Sequence, residues 1–147
     1  MVTLIVGVMA SLSMPAIRYA TKSARAGALV NDLRVFAAAF QSVAQQNGEY
    51  PPDAGIGVMP TGMAGSLGNT SWLQTTPVGG HYNWDHNCVQ AGVLYRAAIG
   101  VRSTGSSSVT TDLDQLLEAD RRIDDGNLAT GNFFLGAGNE PVFIIER

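Results

Sequence analysis

Apolar and polar residues change period several times along this chain. The first seventeen residues, MVTLIVGVMASLSMPAI, carry no charge. From Arg25 the pattern is amphipathic. Leu29, Leu33, Phe36, Phe40 and Val43 recur at spacings of four, three, four and three, which draws one apolar stripe along a helix. Asp32, Arg34, Gln41, Gln45 and Gln46 fall largely off that stripe, and the alanines at 24, 26, 28, 37, 38, 39 and 44 add helix propensity. Asn47-Gly48 supplies a left-handed cap, and Pro51-Pro52 forbids continuation. These signals predict a single helix of roughly 45 residues, about 65–70 Å long. Residues 1–17 form its apolar segment and residues 18–48 its amphipathic half. Pro15 removes one backbone hydrogen bond and crowds the preceding turn, so the helix is expected to loosen or kink there.

Residues 49–147 change period again. DAGIGVMPTGMAGSLGNTS, residues 53–71, holds five glycines and reads as a long loop, with Met59 and Met63 available to pack it down and Trp72-Leu73 in a short helical turn. After Gly79-Gly80, HYNWDHN alternates Tyr82 and Trp84 with polar neighbours, the period of a half-buried strand. GVLYRAAIGVR, residues 92–102, is a second strand, joined to the first through a turn containing Asn87 and Gln90. A polar loop over residues 103–111 leads to a helix. Thr111 is its expected N-cap, Asp112 and Asp114 lie in its first turn, and Leu113, Leu116, Leu117 and Ile123 face inward. Asp124-Asp125-Gly126-Asn127 ends it. NFFLG and PVFIIE then give two more strands around Ala137-Gly138-Asn139-Glu140. The predicted fold class is α+β: a long N-terminal helical spine packed on a small antiparallel head sheet of about four strands, with one extra short helix. Laying one face of that sheet on the Leu29–Val43 stripe gives the stripe its reason.

Composition narrows the function. Charged residues are only 14% of the chain, the net charge is −3 and Lys22 is the sole lysine. An acidic chain does not offer the basic surface that nucleic acid requires. A single cysteine, Cys88, cannot form an internal disulfide. Nothing basic precedes the apolar run, which argues against a signal peptide. Its length suits the lower limit of a membrane helix better than a buried core helix. Arg18, Lys22 and Arg25, just beyond it, suit lipid headgroups or neighbouring spines.

A membrane-like helix running straight into an amphipathic one, with Gly7, then Pro15 eight residues later, then AIRYATKSARAGALVNDLRVFAAAFQSVAQQNGEYPPD, resembles the N-terminal spine of type IV pilins and of type II secretion pseudopilins. Gln45-Gln46-Asn47-Gly48-Glu49-Tyr50-Pro51 resembles the point where such a chain leaves its spine. DDGNLATGNF, residues 124–133, resembles a phrase of pilin-like heads. The register of Gly7 and Pro15 implies a start about seven residues inside the family's mature N-terminus. The family's leader peptide and near-N-terminal glutamate would then lie upstream of Met1. Placing Thr3-Leu4-Ile5 on the family's start instead would put Val6 where the glutamate belongs and Pro15 too early.

The resemblance implies a structural subunit, not an enzyme. It would be held by one pass through the bacterial inner membrane, its head in the periplasm, before entering a periplasmic or extracellular filament. Its implied partners are copies of itself, other pilin-like subunits, an inner-membrane assembly platform and membrane lipid. The implied assembly residues are Gly7, Pro15, Leu29, Leu33, Phe36, Phe40 and Val43. The alternative from another class is a membrane-anchored periplasmic binding module or enzyme.

Other candidate chemistry is thin. His81, Asp85, His86 and Cys88 invite a zinc reading, but strand periodicity sends His81 and His86 to opposite faces, and no Cys-x-x-Cys or His-x-x-x-His pair supports them. Cys88 with a nearby histidine lacks the orienting third group of a nucleophile. No G-x-x-x-x-G-K-[ST] is present for a nucleotide. Asp112, Asp114, Asp120, Asp124 and Asp125 are oxygen donors of the kind calcium takes, Asp124 and Asp125 foremost, and major pseudopilins carry calcium in the head. No motif in this sequence places such a site.

Overall fold

The structure is a computed structural model that describes the backbone of residues 2–147 and side chains from Met14 onward. Gly7 and most of the apolar segment lie outside the residues whose side chains are described. Helix α1 (Val2–Asn47) continues through Pro15. It ends where the sequence places its stop. Gly48 takes φ +81°, and its N–H closes on the Ala44 carbonyl at 2.8 Å. Among the described residues no helix is long and apolar enough to cross a membrane.

The head carries a short helix α2 (Ala64–Leu67), strands β1 (His81–Gln90) and β2 (Val93–Arg102), helix α3 (Leu113–Ile123), strand β3 (Phe133–Leu135), a 3₁₀ turn at Ala137–Asn139, and strand β4 (Pro141–Glu146). The four strands make one antiparallel sheet in the order β1-β2-β4-β3. This is the α+β arrangement read from the sequence, a long helix against a four-stranded sheet, with α2 and the 3₁₀ turn added to the one short helix expected.

The core lies between helix and sheet. Leu29, Leu33, Phe36, Phe40 and Val43 are buried there with Tyr82, Trp84, Ile99, Val101 and Phe133. The long glycine-rich loop is pinned underneath. Met63 and Leu67, on and beside α2, are buried, and Trp72 is fully buried. The helical turn expected at Trp72-Leu73 is only a turn, in which the Gln74 N–H meets the Ser71 carbonyl at 2.9 Å, and Leu73 faces solvent. The helix of this region is α2 instead.

Four further expectations need correction. The β1–β2 hairpin turns at Ala91-Gly92, φ +50° and +77°, a two-residue loop with both residues left-handed. Asn87 and Gln90 therefore belong to β1, not to the turn. Asn87 accommodates φ +54° within the strand, as asparagine does more readily than most residues. Strand β1 is also not half-buried at its centre. Asn83 and Asp85, the polar partners in the alternation, are buried along with Tyr82 and Trp84, and a second cluster of Tyr95, Ala98, Phe134, Val142 and Ile144 occupies the outer face of the sheet. Finally, the N-cap of α3 is Asp112 and not Thr111; the Asp112 carboxylate accepts the Gln115 N–H. Leu116 and Ala119 are buried and Leu117 and Ile123 partly so. Leu113, the first helical residue, projects outward beside Thr110, Gly138 and Asn139.

Helix α3 is clasped to the spine by polar contacts. Lys22 Nζ meets Asp112 Oδ2 at 2.6 Å. Arg34 donates to the Arg122 carbonyl at 2.7 Å, and Arg122 donates to Ser23 Oγ at 2.5 Å. Gly27 makes room for this guanidinium, since a Cβ there would meet Arg122 Nη1 at 2.7 Å. Asp112 both caps α3 and holds Lys22, and the lysine contact lowers its carboxyl below the usual range. Asp112→Ala is expected to cost about 1 kcal/mol through the lost cap. The depressed pKa means this contribution is complete above the ordinary carboxyl range and is lost as pH falls through the folded-state value. Urea unfolding of both chains across the acid range checks both statements.

Candidate assembly surface

The spine has two kinds of face. Its second half is locked into the head by aromatic rings. Phe40 stacks on Trp84 with centroids 3.6 Å apart and planes 5° from parallel. Phe36 stands edge-on to Trp72 at 5.1 Å and to Tyr82 at 4.8 Å. Each polar tip in the cluster has a partner: Trp84 Nε1 donates to the Pro51 carbonyl at 3.0 Å, Trp72 Nε1 to the Val58 carbonyl at 2.9 Å, and the Tyr82 hydroxyl to Asp32 Oδ2 at 2.7 Å. Burial, reinforced by Asp32, drives the Tyr82 phenol far above its ordinary value, so it stays a neutral donor. Large rings with satisfied tips make this joint between spine and head stiff.

Over residues 14–20 the spine has no such cover. Met14, Ile17 and Tyr19 are 64%, 63% and 68% exposed. Pro15 is exposed as well. It lines a groove of 440 Å³ between spine and α3, with Arg18, Tyr19, Lys22, Leu117 and Arg121. On another side of the spine Ile17, Ala20, Ala24 and Ala28 line a shallow apolar trough that reaches Pro77. Small residues there would let another helix approach closely. Of the expected assembly residues, then, Leu29, Leu33, Phe36, Phe40 and Val43 serve the head, Pro15 lies on the open part of the spine, and Gly7 is outside the described side chains.

The candidate metal residues are rearranged in space. His81 and His86 do not join Cys88. His81 Nδ1 lies 3.4 Å from the Thr104 hydroxyl, and the His86 ring lies beside Tyr50. The loop residue Asp53 meets Cys88 instead, with Asp85 close by; its Oδ1 is 3.7 Å from the thiol and accepts the His86 N–H. Burial and the two carboxylates push the Cys88 thiol up, away from the thiolate a nucleophile needs. Asp124 and Asp125 lie together at the end of α3, joined by Asp120. The signal for Asp120 is its spacing: it lies four residues before Asp124, the C-cap of α3.

A long helix, open at one end and packed across a four-stranded antiparallel sheet at the other, is the pilin fold. The chain is similar in structure to the major type IV pilin PilA1 from Clostridium difficile, with a TM-score of 0.59 over 86% of this chain and 97% of that one, at 14% sequence identity. No protein-family model matches the chain, and no curated protein matches it in sequence. The likeness is one of fold, and it agrees with the resemblance carried by the spine.

Proposed function

We propose that this protein is a structural subunit of a filament, either a type IV pilus or a type II secretion pseudopilus, which assembles through its N-terminal helix. The observation that carries this reading is the split of the spine. One half is spent on the head, while Met14, Ile17 and Tyr19 stand exposed at the end that leads into the uncharged segment. Exposed apolar side chains at the mouth of an uncharged segment call for lipid first and for other spines afterwards. Each large apolar side chain so buried contributes about 1.5–3 kcal/mol, and several per subunit are ample to hold a polymer. Contacts of unlike faces from copy to copy propagate without closing, which generates a helical filament. The remaining partners in this reading are other pilin-like subunits and an inner-membrane platform that draws the subunit out of the bilayer. The energy for that step comes, in this reading, from the platform.

Removing residues 1–17 tests the proposal. The truncated chain is expected to be soluble and monomeric by light scattering, to keep its sheet by circular dichroism, and to form no filaments in a host that assembles the intact chain. Filaments from the truncated chain would overturn the role given to this segment.

A further inference from the structure

Asp53, Asp85 and Cys88 come together on the outer face of the sheet. Asp85 and Cys88 are three residues apart on β1, and regular alternation would set them on opposite faces. Left-handed Asn87, φ +54°, breaks the alternation between them. Asp85 pairs with Ala98 and Cys88 with Tyr95, both members of the outer cluster. Asp53 reaches the same place from the loop beyond the spine, where the Ala54 N–H meets the Trp84 carbonyl at 3.2 Å. One ligand atom from each of the three lies within 4.8 Å of the others.

Hydrogen bonds account for the two carboxylates. Asp85 accepts from Asn83, from Arg102 at 3.4 Å and from Gln90 at 3.5 Å, and Asp53 accepts the His86 N–H at 3.1 Å. They do not account for Tyr95. It is fully buried, at 0% exposure, and its hydroxyl has no hydrogen-bond partner among the described residues. Burial first, then Asp85, Cys88 and Asp53, raise its pKa against the pull of Arg102, so the phenol is a neutral donor beside all three groups. A buried hydroxyl without a partner calls for one. The approach of Cys88 to Asp53 is not needed as a hydrogen bond either. The single thiol proton has a nearer acceptor in the His86 carbonyl, at 3.4 Å, than in Asp53 Oδ1, at 3.7 Å.

We propose that Asp53, Asp85 and Cys88 bind a zinc ion, with the Tyr95 hydroxyl as hydrogen-bond partner of the water in its fourth position. Zinc takes cysteine sulfur at about 2.3 Å and carboxylate oxygen at about 2.0–2.2 Å in a tetrahedron, which sets sulfur and oxygen about 3.6 Å apart. Cys88 Sγ and Asp53 Oδ1 are 3.7 Å apart. The remaining closure toward Asp85 falls to Asp53, whose side chain is exposed. Charge fits as well. Two carboxylates and a thiolate bring three negative charges, Arg102 brings one positive, and the two left over match a divalent cation. The sulfur favours zinc over calcium or magnesium, which take oxygen. Cys88 gives its thiol proton to the solvent as the metal–sulfur bond forms. The set keeps Asp85 and Cys88 from the zinc reading of the sequence and exchanges both histidines for Asp53. The ion ties the loop that leaves the spine to β1, a staple that a single cysteine cannot make as an internal disulfide.

The test uses the intact chain without a histidine tag, in detergent, under a phosphine reductant, and stripped of metal with a chelator. Zinc chloride is titrated by calorimetry and cobalt chloride by absorbance. One saturable zinc site and a near-ultraviolet sulfur-to-cobalt charge-transfer band are expected. Cys88→Ser abolishes the band. Asp53→Asn changes an exposed side chain, leaves the fold intact by circular dichroism and weakens zinc binding at least about tenfold. Tyr95→Phe keeps the band and weakens zinc binding about tenfold. His86→Ala leaves zinc binding unchanged. An unsubstituted chain that takes up no zinc would overturn the proposal. So would zinc binding left unchanged by Asp53→Asn, or binding that His86→Ala abolishes while Cys88→Ser does not.

Discussion

Phe40→Ala should lower the stability of the head by about 3–5 kcal/mol. Phe40 is fully buried, lies flat against Trp84 and stands edge-on to Trp72 at 5.4 Å. Neither tryptophan is free to collapse into the space left behind. Trp84 is tied to the Pro51 carbonyl and Trp72 to the Val58 carbonyl, which leaves a cavity with fixed walls. The same joint holds spine to head, so the loss reaches both. Val35, also apolar but 44% exposed on the same helix, is the control; Val35→Ala should change stability by less than about 0.5 kcal/mol. Urea midpoints with unchanged slopes for both chains measure the difference. Equal effects at the two positions would contradict the packing described for the spine.

Arg102→Met should cost a similar amount, about 3–5 kcal/mol, for an electrostatic reason. Arg102 and Asp85 are both buried on the outer face of the sheet, with Nη2 3.4 Å from Asp85 Oδ2 and Nη1 3.7 Å from Glu140. Gly100 leaves space for the guanidinium, since a Cβ there would lie 3.1 Å from its central carbon. Removing the arginine strands Asp85 beside Asp53. Burial already raises the Asp85 carboxyl, and Arg102 is the largest influence pulling it back down. Without Arg102 the folded-state pKa moves further above the unfolded one. The defect is therefore greatest above that folded value and shrinks as pH falls through it, where Asp85 takes up a proton. A second change, Asp85→Leu, should recover most of the loss at neutral pH, because the cost lies in the unpaired charge. Chemical unfolding of the two single variants and the double, at neutral and mildly acidic pH, checks both the size and the sign.

What the sequence disclosed and what it hid divide along physical lines. The spine was legible because Leu29 to Val43 repeat at helical spacing and Gly48 with Pro51 marks the stop. The strands were legible from Tyr82 and Trp84 and from the apolar runs before Arg102 and Glu146. The hairpin turn was misplaced because Ala91-Gly92 lacks an Asn-Gly or Asp-Gly signature, while Asn87, the residue that looked like a turn, is a left-handed residue inside β1. The cap of α3 was shifted by one because Thr110, Thr111 and Asp112 are all capping residues. The structure uses Asp112 for the helix and the Thr110 hydroxyl for the Asp112 N–H. Burial on the outer face was hidden by its own chemistry: Asn83, Asp85 and Arg102 are polar, and they bond to one another. Asp53 was hidden by distance, since only the fold brings that loop to Cys88. Asp120 was visible as an acidic residue, but no spacing reveals that its carboxylate is sealed from water.

The open half of the spine is the proposed polymer contact. Gold-labelled antibody against the head, imaged by electron microscopy on cells that produce the intact chain and a pilus-type assembly machine, tests it most directly. Label spaced along filaments that shear from the cells with the protein is expected. Label confined to the cell body, with the chain present only as dispersed monomer, would contradict it and favour an anchored binding module or enzyme.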